Sequence, residues 1–130
     1  MARNIAQNYR NAQLNTASPG QRVVLMYEGL HKELMKSKNL IVNINKDITN
    51  IEKAHNSISL SEQIILELKL ALDMDKGGEL AQNLNNLYEF WIVQLSEINM
   101  KKDAKALNPI IDMVSELKDT WREAAKRPDN

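Results

Sequence analysis

Apolar residues recur at alternating spacings of three and four along most of this chain, and that periodicity is typical of amphipathic helices. The first clear row follows Ser18-Pro19, where a polar N-cap residue precedes a proline whose missing N–H costs nothing at the first helical position. The pattern predicts helix one from there to about Asn45. The inner face of this helix consists of Val23, Tyr27, Leu30, Leu34, Ile41 and Ile44.

Two more rows follow, and a pair of glycines separates them. Asp47 or Thr49 can open helix two, whose apolar row is broken once by Ser61. Gly77 and Gly78 then supply the permissive backbone that a helix terminus or a tight turn needs, which predicts an antiparallel helical hairpin. The rows are Ile51, Ala54, Ile58, Ile65, Leu68 and Leu72 in helix two, and Leu80, Leu84, Leu87, Trp91, Leu95 and Ile98 in helix three.

Helix four follows a turn over residues 99–102 and contains a proline near its start. In one arrangement Asp103 caps a single turn and Asn108 caps the main helix, with Pro109 at its first position; in the other, Pro109 kinks the helix. Four apolar-faced helices with short connections predict an all-α fold, an antiparallel up-down-up-down four-helix bundle. The row of helix four is Leu107, Ile110, Val114, Leu117 and Trp121.

The N-terminal segment is polar and carries a narrow apolar stripe. Ile5, Tyr9 and Ala12 are spaced by four and three, which predicts one weak amphipathic helix over residues 2–15. We therefore expect a single domain over residues 1–130, with a mobile helical arm at 1–17 and the bundle at 18–126.

Some stretches are apolar over more than one helical face, which exceeds what a bundle core needs. They are residues 23–27, 64–72 and 90–93. In an antiparallel bundle the start of helix one, the end of helix two and the start of helix three lie at the same end, where the arm is tethered. The surplus predicts a groove for a partner helix with the arm as a removable cover, and ordinary core packing is the alternative.

The charge balance argues against a polyanionic partner. Seventeen basic residues offset seventeen acidic ones, so the chain lacks the positive field that favours nucleic acid or anionic membranes. No apolar run approaches the ~20 residues of a membrane span, and the N-terminus leads into a polar segment rather than a signal-peptide core. We expect a cytoplasmic protein with no nucleic-acid partner and no membrane insertion.

Two Glu-x-x-His motifs, Glu28 to His31 and Glu52 to His55, are the sharpest enzymatic signal, because di-iron bundles use two such motifs. If helices one and two turn near Lys46, the two histidines are offset along the bundle by roughly 9 Å at ~1.5 Å per residue. Both motifs also lie one position off the inner row. A metal-dependent bundle enzyme is thus the runner-up, and we expect no catalytic residue, metal or cofactor.

Motifs along nearly the whole chain resemble one family. They are Tyr9, Thr16-Ala17-Ser18-Pro19, Val24-Leu25-Met26-Tyr27-Glu28-Gly29, Leu72-Asp73, Lys76-Gly77-Gly78, Leu80-Ala81, Asn83-Leu84, Leu87-Tyr88, Asn99, Lys102-Asp103, Leu117 and Trp121. This pattern resembles the flagellin-specific export chaperone family, FliS. The sequence departs from the family at Glu28, where Asp is more frequent, and at Pro109 in the last helix.

The resemblance implies a chaperone and not an enzyme. It implies a protein that binds the C-terminal segment of flagellin, prevents premature polymerisation and assists delivery to the flagellar type III export machinery. A generic helical scaffold, or self-association of the free protein through the same apolar surplus, stays open. The motif and the surplus together predict flagellin contacts at Ile5, Tyr9, Val24, Tyr27, Leu66, Leu70, Asn83, Leu84, Leu87 and Tyr88.

Overall fold

The computed structural model describes residues 18–126, in which every regular element is helical. The predicted all-α fold is confirmed, and the arm with Ile5 and Tyr9 lies outside the described residues. The elements in chain order are α1 (Pro19–Val42), a 3₁₀ helix (Ile44–Lys46), α2 (Asn50–Leu70), α3 (Gly78–Lys101) and α4 (Leu107–Ala125).

Helix α1 begins where the sequence predicts. The Ser18 hydroxyl accepts the backbone N–H of Gln21 at 3.2 Å, and the Gln21 side chain accepts the backbone N–H of Ser18 at 3.1 Å. This reciprocal capping box pairs two of the donors that a helix start leaves free. Pro19 follows at the first helical position.

The α1–α2 connection starts about three residues earlier than predicted, because α1 ends at Val42. The side-chain amide of Asn43 donates to the carbonyl of Asn39 at 2.7 Å and so caps the helix end. At the start of α2, the carboxylate of Asp47 accepts both the backbone N–H and the hydroxyl of Thr49, at 3.0 and 2.7 Å. Both predicted start residues therefore contribute to the start of α2. Thr49 occupies the N-cap position, and Asp47 accepts the hydrogen bonds.

The start of α4 differs from both predicted arrangements. Asp103 caps the preceding turn as expected, since its carboxylate accepts two backbone N–H groups at 3.1 and 3.3 Å. The helix then begins at Leu107, so Asn108 is its second residue and not its N-cap. Pro109 is the third residue, within the first turn, where an N–H has no intrahelical partner. The proline is therefore accommodated without interrupting α4.

The helices pack around one core. Helix α1 packs extensively against α2 and α4, and α2 also packs against α3, whereas α3 and α4 touch at few points. Between α2 and α3, Glu62 meets Ser96 at 3.4 Å and Lys69 meets Glu89 at 3.1 Å. Residue numbers rise along one helix as they fall along the other, which is consistent with the predicted up-down-up-down order. The largest fully buried apolar side chains include Trp91, Tyr27, Tyr88, Leu30, Leu34, Ile58, Ile65 and Leu95.

A buried polar cluster joins α1 to α2. The hydroxyls of Ser37 and Ser57 lie 2.7 Å apart, and the Ser57 hydroxyl lies 2.5 Å from a carboxylate oxygen of Glu33. Ser61, which interrupts the apolar row of α2, is fully buried and donates to the backbone carbonyl of Ser57 at 3.0 Å. Hydrogen bonding within the interface thus explains how the polar residue is accommodated there.

Two residues predicted for the inner rows are exposed instead. Ile51 is 43% exposed and Leu80 is 62% exposed. Both lie in the first turn of their helices, where an apolar row extends past the side chains of neighbouring helices. Periodicity alone assigns such positions to the core, although packing leaves them uncovered.

Candidate partner-binding groove

An apolar groove lies at the end of the bundle where α1 and α3 begin and α2 and α4 end. It encloses a volume of about 200 Å³ and opens to solvent. All four helices and the α2–α3 connection contribute to its lining, which is almost wholly apolar. The lining residues are Val23, Leu68, Ala71, Leu72, Asp73, Gly77, Leu80, Ala81, Leu84, Tyr88 and Trp121.

Two buried tyrosines meet beneath the groove. The hydroxyl oxygens of Tyr27 in α1 and Tyr88 in α3 lie 2.6 Å apart, and both residues are almost fully buried. Burial raises the pKa of each phenol above its ordinary value. Both side chains therefore keep their protons at neutral pH and hold α1 to α3 through a neutral hydrogen bond.

Two tryptophans flank this pair. The ring of Trp121 packs at a tilt against Tyr27 with 6.4 Å between centroids, and the ring of Trp91 packs against Tyr88 at 5.7 Å. Both indole nitrogens are buried, and within the described part of the chain that of Trp91 has no hydrogen-bond partner. The Trp121 side chain lies close enough to the Tyr27 hydroxyl to oppose, as a hydrogen-bond donor, the rise in its pKa. The groove therefore has an aromatic base.

Several predicted contact residues lie in or beside the groove. Leu84 and Tyr88 line it directly. Tyr27 has no exposed surface, so it supports the base of the groove and offers no surface to a partner in this conformation. Val24 is half-buried near the start of α1, and Leu87 is half-buried against the core.

Other predicted contact residues lie away from the lining. Leu66 and Leu70, one turn apart at the end of α2, are 45% and 76% exposed. Asn83 is exposed on the first part of α3. Ile5 and Tyr9 belong to the segment outside the described residues.

Sequence periodicity predicts core positions for some residues that also line the groove. Trp121 and Leu80 continue the inner rows of α4 and α3, yet both line the groove. The useful signal at Leu80 is its place two residues after a glycine pair, because a helix begins there and the first apolar residue of its row lacks neighbours on one side. Phe90, which is 51% exposed, shares a face of α3 with Leu80 and Leu87 because these residues are spaced by seven and three.

The comparisons with known proteins cover almost the whole chain. The profile of the family described as "Flagellar protein FliS" matches residues 1–128. The chain belongs to the FliS family. A "Flagellar secretion chaperone FliS" from Campylobacter jejuni subsp. jejuni serotype O:6 is 32% identical over 124 residues, which are 95% of this chain and 93% of that relative. Another FliS, from Vibrio cholerae serotype O1, is 30% identical over 111 residues, 85% of this chain and 78% of the relative.

A solved structure supports the fold of this FliS chain. "Crystal structure of flagellar chaperone from bacteria" superposes with a TM-score of 0.75, covering 97% of this chain and 98% of the other at 22% identity. Proteins of the FliS family are flagellar secretion chaperones and not enzymes. Among residues 18–126, no helix combines the length and the apolar character that crossing a lipid bilayer requires.

The residues of the metal-site hypothesis are not brought together. Glu28 pairs with Arg122 of α4 at 2.9 Å, while Glu52 and His55 are exposed on α2. Over residues 18–126, no three histidine, cysteine, aspartate or glutamate side chains form a group that could hold a metal ion. The di-iron alternative therefore has no geometric support in this FliS chain.

Proposed function

We propose that this FliS-family chain binds the C-terminal segment of flagellin in the cytoplasm. In this proposal it keeps the subunit from polymerising prematurely and assists its delivery to the flagellar type III export machinery. Family membership supports a role as a flagellar secretion chaperone. The observation that carries the choice of a peptide segment as the partner is the open apolar groove at one end of the bundle.

The lining of the groove suits the apolar face of an amphipathic helix. Such a segment loses conformational entropy when it folds on binding, and it must bury apolar area to offset that loss. Leu80 is 62% exposed in the groove, so it has surface that a partner can cover. Leu84 and Tyr88 form a firm base because they are nearly buried.

A longer segment could continue beyond the groove along either of two apolar faces. Leu87 and Phe90 extend the row of Leu80 along α3, and Leu66 and Leu70 lie on α2. Exposed apolar patches of this kind are frequent at sites of protein interaction. We propose that flagellin contacts the predicted residues on these faces as well as those in the groove.

The N-terminal arm has a part in the proposal. Val23 lines the groove only five residues after Ser18, so the preceding segment is tethered beside it. We propose that Ile5 and Tyr9 compete for part of the apolar surface in the free protein and contact the bound segment afterwards.

Titration calorimetry with a synthetic peptide of the flagellin C-terminal region tests the proposal. We expect one peptide per chain. Leu80→Ala should raise Kd about tenfold by removing apolar area from the groove. Val42→Ala is the matched control, because Val42 is 64% exposed at the opposite end of the bundle. Absence of both binding heat and co-elution at low and at moderate salt would remove the proposal.

Light scattering distinguishes the scaffold alternative. In a homodimer whose interface is the groove, Leu80→Ala should lower the measured mass from that of a dimer to that of a monomer. Such a dimer would not dissociate when the peptide is added. We expect the peptide complex to contain one copy of each chain. A stable dimer indifferent to the peptide would favour the scaffold.

A further inference from the structure

The charges of this neutral chain are distributed unevenly between the two ends of the bundle. The half that contains the groove consists of residues 18–30, 61–90 and 117–126, and it carries nine acidic and six basic side chains. The other half of the described chain, residues 31–60 and 91–116, carries seven acidic and eight basic side chains. Two helices begin and two end beside the groove, so their dipoles largely cancel there. Side chains therefore give the groove end its negative charge.

Part of this excess of acidic residues lies at the mouth of the groove. Asp73 lines the groove, Asp75 lies in the same connection between α2 and α3, and Glu79 belongs to the first turn of α3. All three side chains are on exposed residues, and we call them the mouth carboxylates. Lys76 is the only basic residue between the first and the last of them. The mouth of the groove is therefore acidic.

The ion pairs at this end of the bundle involve other carboxylates. Within residues 18–126, Lys69 pairs with Glu89 at 3.1 Å, and Arg122 pairs with Glu28 at 2.9 Å and with Asp119 at 3.8 Å. A cation of a partner can therefore approach the mouth carboxylates without breaking an existing ion pair.

The N-terminal segment has the complementary charge. Residues 1–17 contain Arg3 and Arg10 and no acidic residue. Arg10 directly follows Tyr9, one of the two residues that we propose compete for the apolar surface. The segment tethered beside the groove thus combines apolar side chains with cationic ones, and it is an example of the chemistry that an acidic mouth favours.

We propose that the groove selects its occupant by charge as well as by apolar area, and that the flagellin segment carries arginine or lysine beside its apolar face and no acidic residue there. This inference rests on the proposed function and narrows the chemistry of the partner. A cation near the mouth carboxylates is attracted to them, whereas an acidic side chain in the same place is repelled. Such repulsion excludes segments that match the groove in apolar area alone.

Calorimetry at several salt concentrations measures the contribution of charge. The mouth carboxylates are exposed, so dissolved ions screen them over a Debye length of about 8 Å at physiological ionic strength. Between about 0.05 and 0.5 M sodium chloride, we expect Kd of the full-length protein for the synthetic flagellin C-terminal peptide to rise about fivefold, the scale of a few exposed ion pairs. A Kd that stays constant over that range would overturn the proposal.

Charge-neutral variants locate the effect. The double variant Asp75→Asn, Glu79→Gln should raise Kd about threefold at low salt and have little effect at high salt. Glu52→Gln is the matched control, because Glu52 is also exposed in the first turn of a helix but lies at the other end of the bundle. If the double variant binds the peptide at low salt as tightly as the parent does, the mouth carboxylates have no part in selection and the proposal is wrong.

Two model peptides test selection by charge without flagellin. Both form amphipathic helices with the same leucine face, and that face is flanked by lysines in one peptide and by glutamates in the other. We expect the full-length protein to bind the lysine peptide more tightly. Leu80→Ala should weaken that binding and Val42→Ala should not, because only Leu80 lies in the groove. Binding of the lysine peptide that is no tighter than that of the glutamate peptide would overturn the proposal.

The failures of the two proposals can be told apart. If the flagellin peptide binds with a Kd that does not depend on salt, selection by charge is wrong and flagellin binding stands. If the flagellin peptide gives no heat but the lysine peptide binds in the groove, flagellin binding is wrong and selection by charge stands.

Discussion

A Cβ atom placed on Gly77 would lie 2.5 Å from the Cβ of Ala81 and 2.7 Å from the carbonyl oxygen of Asp73. Side chains do not approach so closely without displacing their neighbours, and one of the neighbours here is backbone. Gly78, the next residue, has open space around it but a φ of +55°. Gly77, just before α3, and Gly78, its first residue, therefore meet different requirements, one of space and one of backbone conformation.

Alanine substitutions should separate these requirements. Gly77→Ala should lower the free energy of unfolding by about 1–3 kcal/mol through overpacking, and Gly78→Ala by about 1–2 kcal/mol through left-handed strain. Gly20→Ala is the control, because its added Cβ meets only the Cβ of Ala125 at an ordinary 3.8 Å. Urea denaturation measures all three. A Gly77→Ala protein as stable as the parent would show that the turn relaxes freely.

In the serine cluster between α1 and α2, the effects of substituting Ser57 and Glu33 on the free energy of unfolding should be coupled. Ser57→Ala removes the donor that lies 2.5 Å from the Glu33 carboxylate and should cost about 1–2 kcal/mol. In the double variant with Glu33→Ala, the combined loss should fall short of the sum by about 1 kcal/mol, since neither partner is left unpaired. A thermodynamic cycle from urea denaturation checks this. Strict additivity would mean that the contact contributes nothing to folding.

The protein should lose stability as the pH falls below neutrality, in part through His31. Burial lowers the pKa of His31 below its ordinary 6.5, Lys118 across the α1–α4 interface lowers it further, and Asp119 opposes the shift. The unfolded chain then binds more protons than the folded one just below pH 6.5. The neutral His31 imidazole therefore makes its full contribution to the free energy of unfolding above pH 6.5. That contribution is lost as the pH falls through the folded-state pKa.

Melting temperatures between about pH 7.5 and 5.5 test this, because the window spans the titration of histidine. His31→Gln should flatten the decline, and His55→Gln controls for loss of an exposed imidazole. An unchanged pH profile in His31→Gln would assign the decline to other groups.

The N-terminal arm should affect binding more than folding. Ile5 and Tyr9 would contribute about 2 kcal/mol each if fully buried, and ordering a short polar helix costs a similar amount. The double variant Ile5→Ala, Tyr9→Ala should therefore weaken flagellin binding modestly and barely change Tm. Deleting residues 1–15 should keep the helical circular dichroism of the bundle and increase non-specific association. A much lower, cooperative melting transition in the double variant would make the arm part of the core.

Local chemistry accounts for much of the fold. Ser18-Pro19 fixes the start of α1 because a cap depends on a few adjacent residues, and the inner rows locate all four helices. Pro109 was harder to place, because its position within α4 depends on the turn that Asp103 caps six residues earlier. Periodicity and composition carry no information about where such a turn ends and the helix begins.

The groove was predictable in location but not in detail. Antiparallel order brings the correct helix ends together, so the apolar surplus pointed to this end of the bundle. The exposure of Leu80 depends on which side chains of the neighbouring helices reach it. The periodicity of one helix contains no information about those side chains. Likewise, the hydrogen bond between the hydroxyls of Tyr27 and Tyr88 joins residues 61 positions apart in the chain. Contacts of that kind follow from tertiary packing alone.

The capping box at the start of α1 bears on the proposed exchange between the N-terminal arm and flagellin. Its two hydrogen bonds join Ser18 and Gln21, so this cap is formed by residues of the described part of the chain. If the leading segment changes its contacts as we propose, the length of α1 and the shape of the groove need not change with it. Release of a bound segment would then require no refolding of the bundle.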